Sequence, residues 1–288
     1  MKGAVIVAGY AIRESVRRRV FPVVLVLTAV FLGLYGFGVY KAYQSIDPFS
    51  TQTIGAGGLI DTRVLFSATL FGLSIFAVLF LGTVLAIFLT HAVVRGDAER
   101  GLLQPLVVRP VGRAALLAGR FGAAVLVCAV YVVSVYAASL FITHWVTGWW
   151  PDRIVLPAVE LAAAIAVIVA ISLFGSIVFS AIANGIAIFM IFGAGLVAGL
   201  LGQIGEALNS DSLKTIANVA TWALPFEALY QDALNGITAD TVGFTKAALS
   251  LGPFGGAQPA GVWLGPFVIA YMAVLAAVGL TAFNRKDL

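Results

Sequence analysis

The stretch 95-RGDAERGLLQPLVVRPVGRAALLAGR-120 decides the fold, because it is polar, rich in arginine and flanked by two long apolar runs. Those runs, Val64–Val94 and Ala114–Val146, each exceed the roughly 20 residues that carry a helix across a bilayer core. The polar stretch therefore lies at one membrane face. It is too short to be a domain, and no other interior loop is so densely charged with arginine. A short charged helix between two spans presents a handle to a partner.

Working outward, the same length criterion predicts six spans: Val20–Tyr40, Val64–Val94, Ala114–Val146, Ile154–Ala183, Gly185–Ile204 and Val262–Phe283. Asn184-Gly185 is expected to be the tight break between the fourth and fifth, the alternative being one long kinked hairpin. The composition agrees with a lipid setting. Charged residues make up 10% and hydrophobic residues 61% of the chain, where a soluble domain carries about a quarter charged residues. The run from Val20 is too long for the core of a cleavable signal, so it is expected to be retained as the first span.

Six spans put both termini on one side, together with 95–120 and the Asn184 turn. Of the Lys and Arg residues, twelve fall on that side and five (Lys41, Arg63, Arg153, Lys214 and Lys246) on the other, which predicts cytoplasmic termini in a plasma (inner) membrane. The basic residues are spread over these loops rather than gathered in one stripe, so nucleic acid is not an expected partner. In front of the first span, Val5, Ala8, Ile12, Val16 and Val20 recur at helical spacing. Residues 1–19 thus read as an amphipathic interfacial helix, a basic topogenic anchor, or both.

On the outer side, residues 41–63, with 55-GAGG-58, read as a flexible loop, and 205–262 as an external helical region. In the latter, Asp211 or Ser212 caps a first short helix and Pro225 opens a second, with Gly236 just past its end. These helices are expected to lie on or dip into the outer leaflet, before the turn-rich 252-GPFGGAQPAG-261.

Catalytic and metal-binding signatures are missing. No G-x-x-x-x-G-K-[ST], H-E-x-x-H or G-x-S-x-G occurs, so the chain is not expected to be an enzyme or to bind ATP itself. Cys128 sits alone in an apolar run, and His91 and His144 read as polar residues at headgroup boundaries, so no metal or other cofactor is expected. Trp145, Trp149 and Trp150 read as an aromatic belt. A proton- or sodium-driven carrier needs intramembrane carboxylates or broken helices near the midplane, and the sequence displays neither. Gly195 and Gly199 form a small-x-x-x-small pair that suits either a dimer face or packing within one subunit.

In this order and topology, the motifs resemble the ABC-2-type permeases, the membrane subunits of type V ATP-binding cassette exporters. Residues 97-DAERGLLQPLVVRPVGRAALLAGR-120 are similar to that family's E-x-G…L…P-x-x-R…L-x-G-K segment through Glu99, Gly101, Leu106, Pro110, Arg113, Leu117 and Gly119. Arg13-Glu14 with the following basic cluster and the ending 283-FNRKDL-288 are similar to its two ends. Leu102 stands where a Thr often follows the glycine, and Arg120 replaces a Lys while keeping its charge.

The resemblance implies a single ABC-2-type transmembrane domain over 1–288, all-α, with a cytoplasmic coupling helix in 95–113. Asp97, Glu99 and Arg100 would give charged contacts to an ATPase subunit and Leu102, Leu103 and Leu106 apolar ones. Gly101 belongs to the same segment, Pro110 would end its helix and Arg113 would sit where the chain re-enters the membrane. It further implies ATP bound by that partner, and a second permease, identical or different, meeting the first and fifth spans. The alternatives are a positive-inside topogenic loop at 95–120, an assembly subunit that does not transport, or an autonomous secondary carrier.

Overall fold

The structure is a computed structural model that describes residues 7–13, 20–45, 51–54, 58–90, 113–241 and 259–284. Apart from one short β-hairpin, it is an all-α polytopic membrane protein. Residues 7–13 form α1, with Ala8 and Ile12 half-buried and Tyr10 and Arg13 exposed. Among the described residues, six helices are long and apolar enough to span: α2 (Val20–Gln44), α3 (Thr62–Thr90), α4 (Arg113–Thr147), α5 (Val155–Val178), α6 (Ala181–Ala207) and α9 (Leu264–Asn284). Between α6 and α9 lie the shorter α7 (Asp211–Ala223) and α8 (Pro225–Ile237). The near face is taken here as the side where α3 ends and α4 begins.

The described residues within 41–63 depart from the flexible loop expected there. Helix α2 runs on to Gln44, and β1 (Thr51–Ile54) pairs antiparallel with β2 (Gly58–Asp61), Ile54 opposite Gly58. Two β-prone runs separated by three glycine-containing residues satisfy the hairpin pattern, a signal that the glycines alone concealed. Arg63 follows directly in α3. Its Nε donates to the carbonyl oxygen of Thr147 at 2.6 Å, placing a cation where the last carbonyls of α4 lack partners.

The core is the trio α3, α4 and α5, joined by α8. Phe71, Ile75, Leu79 and Leu85 of α3, Val132 of α4, Leu161 and Ile165 of α5 and Phe226 of α8 are all fully buried. The three spans meet at Gly82, where an added Cβ would lie 2.6 Å from Val132 Cγ2 and 3.1 Å from Ile165 Cδ1. Only glycine lets the helices approach this closely. Polar side chains tie the less buried α2 to α4, through Thr28 Oγ1 and the Tyr131 hydroxyl (2.5 Å) and the Tyr35 hydroxyl and Thr143 Oγ1 (2.6 Å). Trp149 also joins the core, 8% exposed and edge-on to Phe71, so only Trp145 and Trp150 stand exposed as belt residues.

The break between the fourth and fifth spans falls at Phe179-Ser180, five residues before Asn184-Gly185. Phe179 is extended (φ −95°, ψ 159°) and closes α5, while Asn184 lies inside α6, 1% exposed. Its Nδ2 donates to the Ser172 carbonyl oxygen at 3.0 Å, and its side chain lies against Gly175. An asparagine whose amide finds a partner on the neighbouring helix need not end its own.

Candidate functional site

The second external helix does not lie on a surface. Helix α7 turns back along α6, with Gly205 against Leu213 and Lys214 and Gly202 against Ala217. The turn uses Asn209 at φ 53°, a left-handed conformation that asparagine tolerates, and the helix N-cap is Ser210 rather than Asp211 or Ser212. After Leu224 the chain reverses. Pro225 opens α8, which climbs back between α6 and α5 and takes in Gly236 before ending at Ile237. There the backbone N–H groups of Asp152 and Arg153 donate to the carbonyls of Ile237 and Gly236, both at 3.2 Å.

Two measures place the tip of this re-entrant hairpin near mid-depth. Phe226 and Ile168 border one small apolar gap, and Ile168 lies 13 residues, or ~20 Å, below Val155. Gly195, midway along α6, is where an added Cβ would come within 2.7 Å of Phe226 Cζ. One turn on, a Cβ at Gly199 would strike Glu227 Oε1 and lie 2.9 Å from Gln231 Nε2. Gly195 and Gly199 thus make room for α8 of their own chain, and the glycines of α6 form the slot into which the hairpin fits.

This docking buries Glu227, which is 2% exposed. Its Oε1 accepts a hydrogen bond from Gln231 Nε2 (3.1 Å), while its Oε2 and the nearby Tyr230 hydroxyl are buried without a hydrogen-bond partner. The expectation of no midplane carboxylate is therefore corrected: the bundle holds Glu227, on a re-entrant hairpin rather than on a broken span. Sequence reading missed Glu227 because it lies outside every span-length run, on a helix expected to lie on or dip into the outer leaflet. The available signal was the 3- and 4-residue spacing of the α6 glycines, which called for a partner helix of matching length.

On the other side of α8, the carboxyl groups of Asp232 and of Glu160 on α5 lie in electrostatic range of each other and of Arg153, and Glu160 Oε2 is buried without a hydrogen-bond partner. Asp152 accepts from the Asp240 N–H at 2.8 Å, so the end of α8 is fastened to the start of α5 by side chains as well as by backbone.

At the near face, a second polar cluster joins three spans. Thr90 Oγ1, on the last residue of α3, is 2.6 Å from Ser172 Oγ of α5, whose carbonyl oxygen accepts from Asn184 of α6. All three residues are buried. Arg113 is the first residue of α4. Asp97, Glu99, Arg100, Gly101, Leu102, Leu103, Leu106 and Pro110 lie outside the described residues, as does His91. The other histidine, His144, stacks on Trp150 with ring centroids 3.9 Å apart. Among the described residues, no group of three or more His, Cys, Asp or Glu side chains could hold a metal ion, and Cys128 is buried.

Comparison with known proteins bears on the whole of this architecture. The profile described as ABC-2 family transporter protein matches residues 5–288. The chain belongs to the ABC-2 transporter family. That membership covers every span, the re-entrant hairpin and the stretch between α3 and α4, and it makes the chain a membrane component of a transporter. No curated protein matches the chain.

Proposed function

We propose that this ABC-2 family protein is the permease subunit of an ATP-driven exporter, moving its substrate with energy from a separate ATPase. The observation that carries the reading is the family match over 5–288, which coincides with six spanning helices. The chain binds no ATP of its own and catalyses no reaction in this scheme. It sits in the plasma (inner) membrane with both termini cytoplasmic, so that the near face meets the ATPase.

Residues 95–113 act as the coupling element, with Asp97, Glu99 and Arg100 as charged contacts and Gly101, Leu102, Leu103 and Leu106 within the docked helix. Pro110 ends that helix and Arg113 starts α4. Closure of the ATPase pair displaces this element and with it the end of α3 and the start of α4. Because Thr90, Ser172 and Asn184 are hydrogen-bonded, a shift of α3 is passed to α5 and α6, the two helices that hold the re-entrant hairpin. A second permease, identical or different, meets α2 and α6, whose exposed Val30, Leu34, Phe37, Ile186 and Met190 need apolar cover.

Glu227 favours a second reading, an autonomous carrier that uses this carboxyl as its ion or proton site. Purification in mild detergent separates the two, comparing wild type with a Glu99→Ala/Arg100→Ala variant and assaying ATP turnover. The exporter reading expects a P-loop ATPase with wild type that is lost or uncoupled in the variant. Transport without any ATPase, abolished by Glu227→Gln and untouched by the double variant, would establish the carrier instead. ATP turnover that no transported compound stimulates would mark an assembly subunit.

A further inference from the structure

At the near face, α4, α5 and α9 leave a cavity of about 320 Å³ between them. Every residue that lines it is Ala, Leu, Ile, Phe, Met or Gly. Its floor is Leu173, Ile177 and Gly279, which are buried, and its rims are Ala114 and Ala118 of α4 and Ala273 and Ala276 of α9, which are exposed. With only methyl groups on the two rims, the space between the outer helices is left unfilled.

Water does not suit this cavity, because an ordered water needs two to four polar partners and the lining side chains offer none. Phe283, one turn beyond Gly279 and 3% exposed, packs with Leu173 and Ile177, and Leu116 and Leu117 pack against them. The exposed alanines of the two rims leave the cavity open sideways, toward the bilayer. From Met272 to Leu280 the α9 wall rises ~12 Å, less than the ~15 Å of one leaflet's hydrocarbon. The volume is at the small end of the range for ligand pockets, about 300–1,000 Å³. That admits one chain and not a helix of a second protein.

We infer that this cleft is a binding site for an acyl chain of a phospholipid from the near leaflet. The site does not depend on the exporter reading, since its walls belong to this chain alone. Because α4 begins directly after the segment between α3 and α4, a displacement of that segment would change the width of the cleft.

The test places the purified protein in nanodiscs containing a phosphatidylcholine with a diazirine near the end of one acyl chain. After irradiation, adducts are mapped by peptide mass spectrometry in wild type, Ala276→Phe and Val278→Phe. Ala276 is an exposed rim residue, so the added ring fills the mouth without entering the core. Val278 lies on another face of α9 and serves as control. The expected result is adducts concentrated on Phe121, Phe174 and Met272, about ten-fold fewer in Ala276→Phe and unchanged in Val278→Phe. Adducts spread evenly over the exposed faces of α2, α6 and α9, or unaffected by Ala276→Phe, would overturn the inference. So would efficient chain-to-chain disulfide formation through Ala276→Cys in the Cys128→Ala background, since a second copy would then cover the cleft.

Discussion

The inner and outer spans differ modestly in hydropathy and widely in surroundings. Along their most apolar stretches, 67% of the residues of α3 and of α5 are buried within the protein against 17% of those of α2 and of α9, while mean hydropathy falls only from 2.6 and 2.7 to 2.2 and 2.1. Hydropathy reports that a helix can sit in lipid, and its small rise toward the inner pair only begins to say whether lipid or protein surrounds it. Small and polar residues carry that second message. On α3, Gly82 admits two neighbouring spans, and the Thr90 hydroxyl is hydrogen-bonded to that of Ser172 on α5. On α2, Gly33 and Gly38 face open space. Association between helices in a membrane depends on packing and hydrogen bonds rather than on exclusion from water, so these residues mark the inner set.

The sharpest way to break the comparison is to add one methyl group in each region. Gly82→Ala forces Val132 and Ile165 to move and is expected to destabilise the protein by ~1–3 kcal/mol. Gly33→Ala or Gly38→Ala meets no neighbour within its own chain and gains helix propensity, so in the monomeric chain it is expected to be neutral or stabilising by up to ~1 kcal/mol. Unfolding midpoints in one detergent decide the matter. Equal losses at the two sites would mean that α2 is as tightly packed as α3.

Next in size is Gly199→Leu, which fills the slot held by Glu227 and Gln231. Overpacking here should cost ~1–3 kcal/mol, relieved in part by hairpin release. Ala228, now 5% exposed, serves as the reporter. As Ala228→Cys in the Cys128→Ala background it should change from unreactive to reactive toward a maleimide when Gly199→Leu is added. An unreactive cysteine would show that the hairpin does not depend on the glycine slot. A smaller effect is expected at the near-face cluster. Asn184→Leu removes the bond to Ser172, and polar contacts between membrane helices average ~0.6 kcal/mol with a maximum near 1.7. A loss of ~0.5–1.5 kcal/mol in the same unfolding assay fits a tie between helices. A loss above ~3 kcal/mol would mean that Asn184 carries the α5–α6 corner.

The sequence disclosed the spans because each is a long apolar run, and span-length helices need little beyond local composition. The two short helices after the fifth span were legible too, through Pro225 and the spacing of Phe226, Leu229, Tyr230, Ala233 and Leu234. Their destination was not. The pattern 226-FEALYQDAL-234 shows an apolar face beside Glu227, Gln231 and Asp232, which suits a leaflet surface as well as a protein slot. What decides between them is the glycine spacing on α6, a helix adjacent in the fold but read as a separate span. Asn184-Gly185 failed as a turn for a related reason, since a distant carbonyl, that of Ser172, supplied the hydrogen bond that keeps Asn184 helical.

The central claim is that ATP consumed by a partner moves the inner spans through the segment between α3 and α4. It is tested most directly by hydrogen exchange on the permease co-purified with its ATPase, nucleotide-free and trapped with ATP and vanadate. The account predicts that exchange changes on trapping at the end of α3 (residues 84–90) and the start of α4 (residues 113–120) and extends to the hairpin, while α2 changes least. It also predicts that Glu99→Ala/Arg100→Ala abolishes the change. Identical exchange in the two states, or a change that the double variant leaves intact, would contradict the claim.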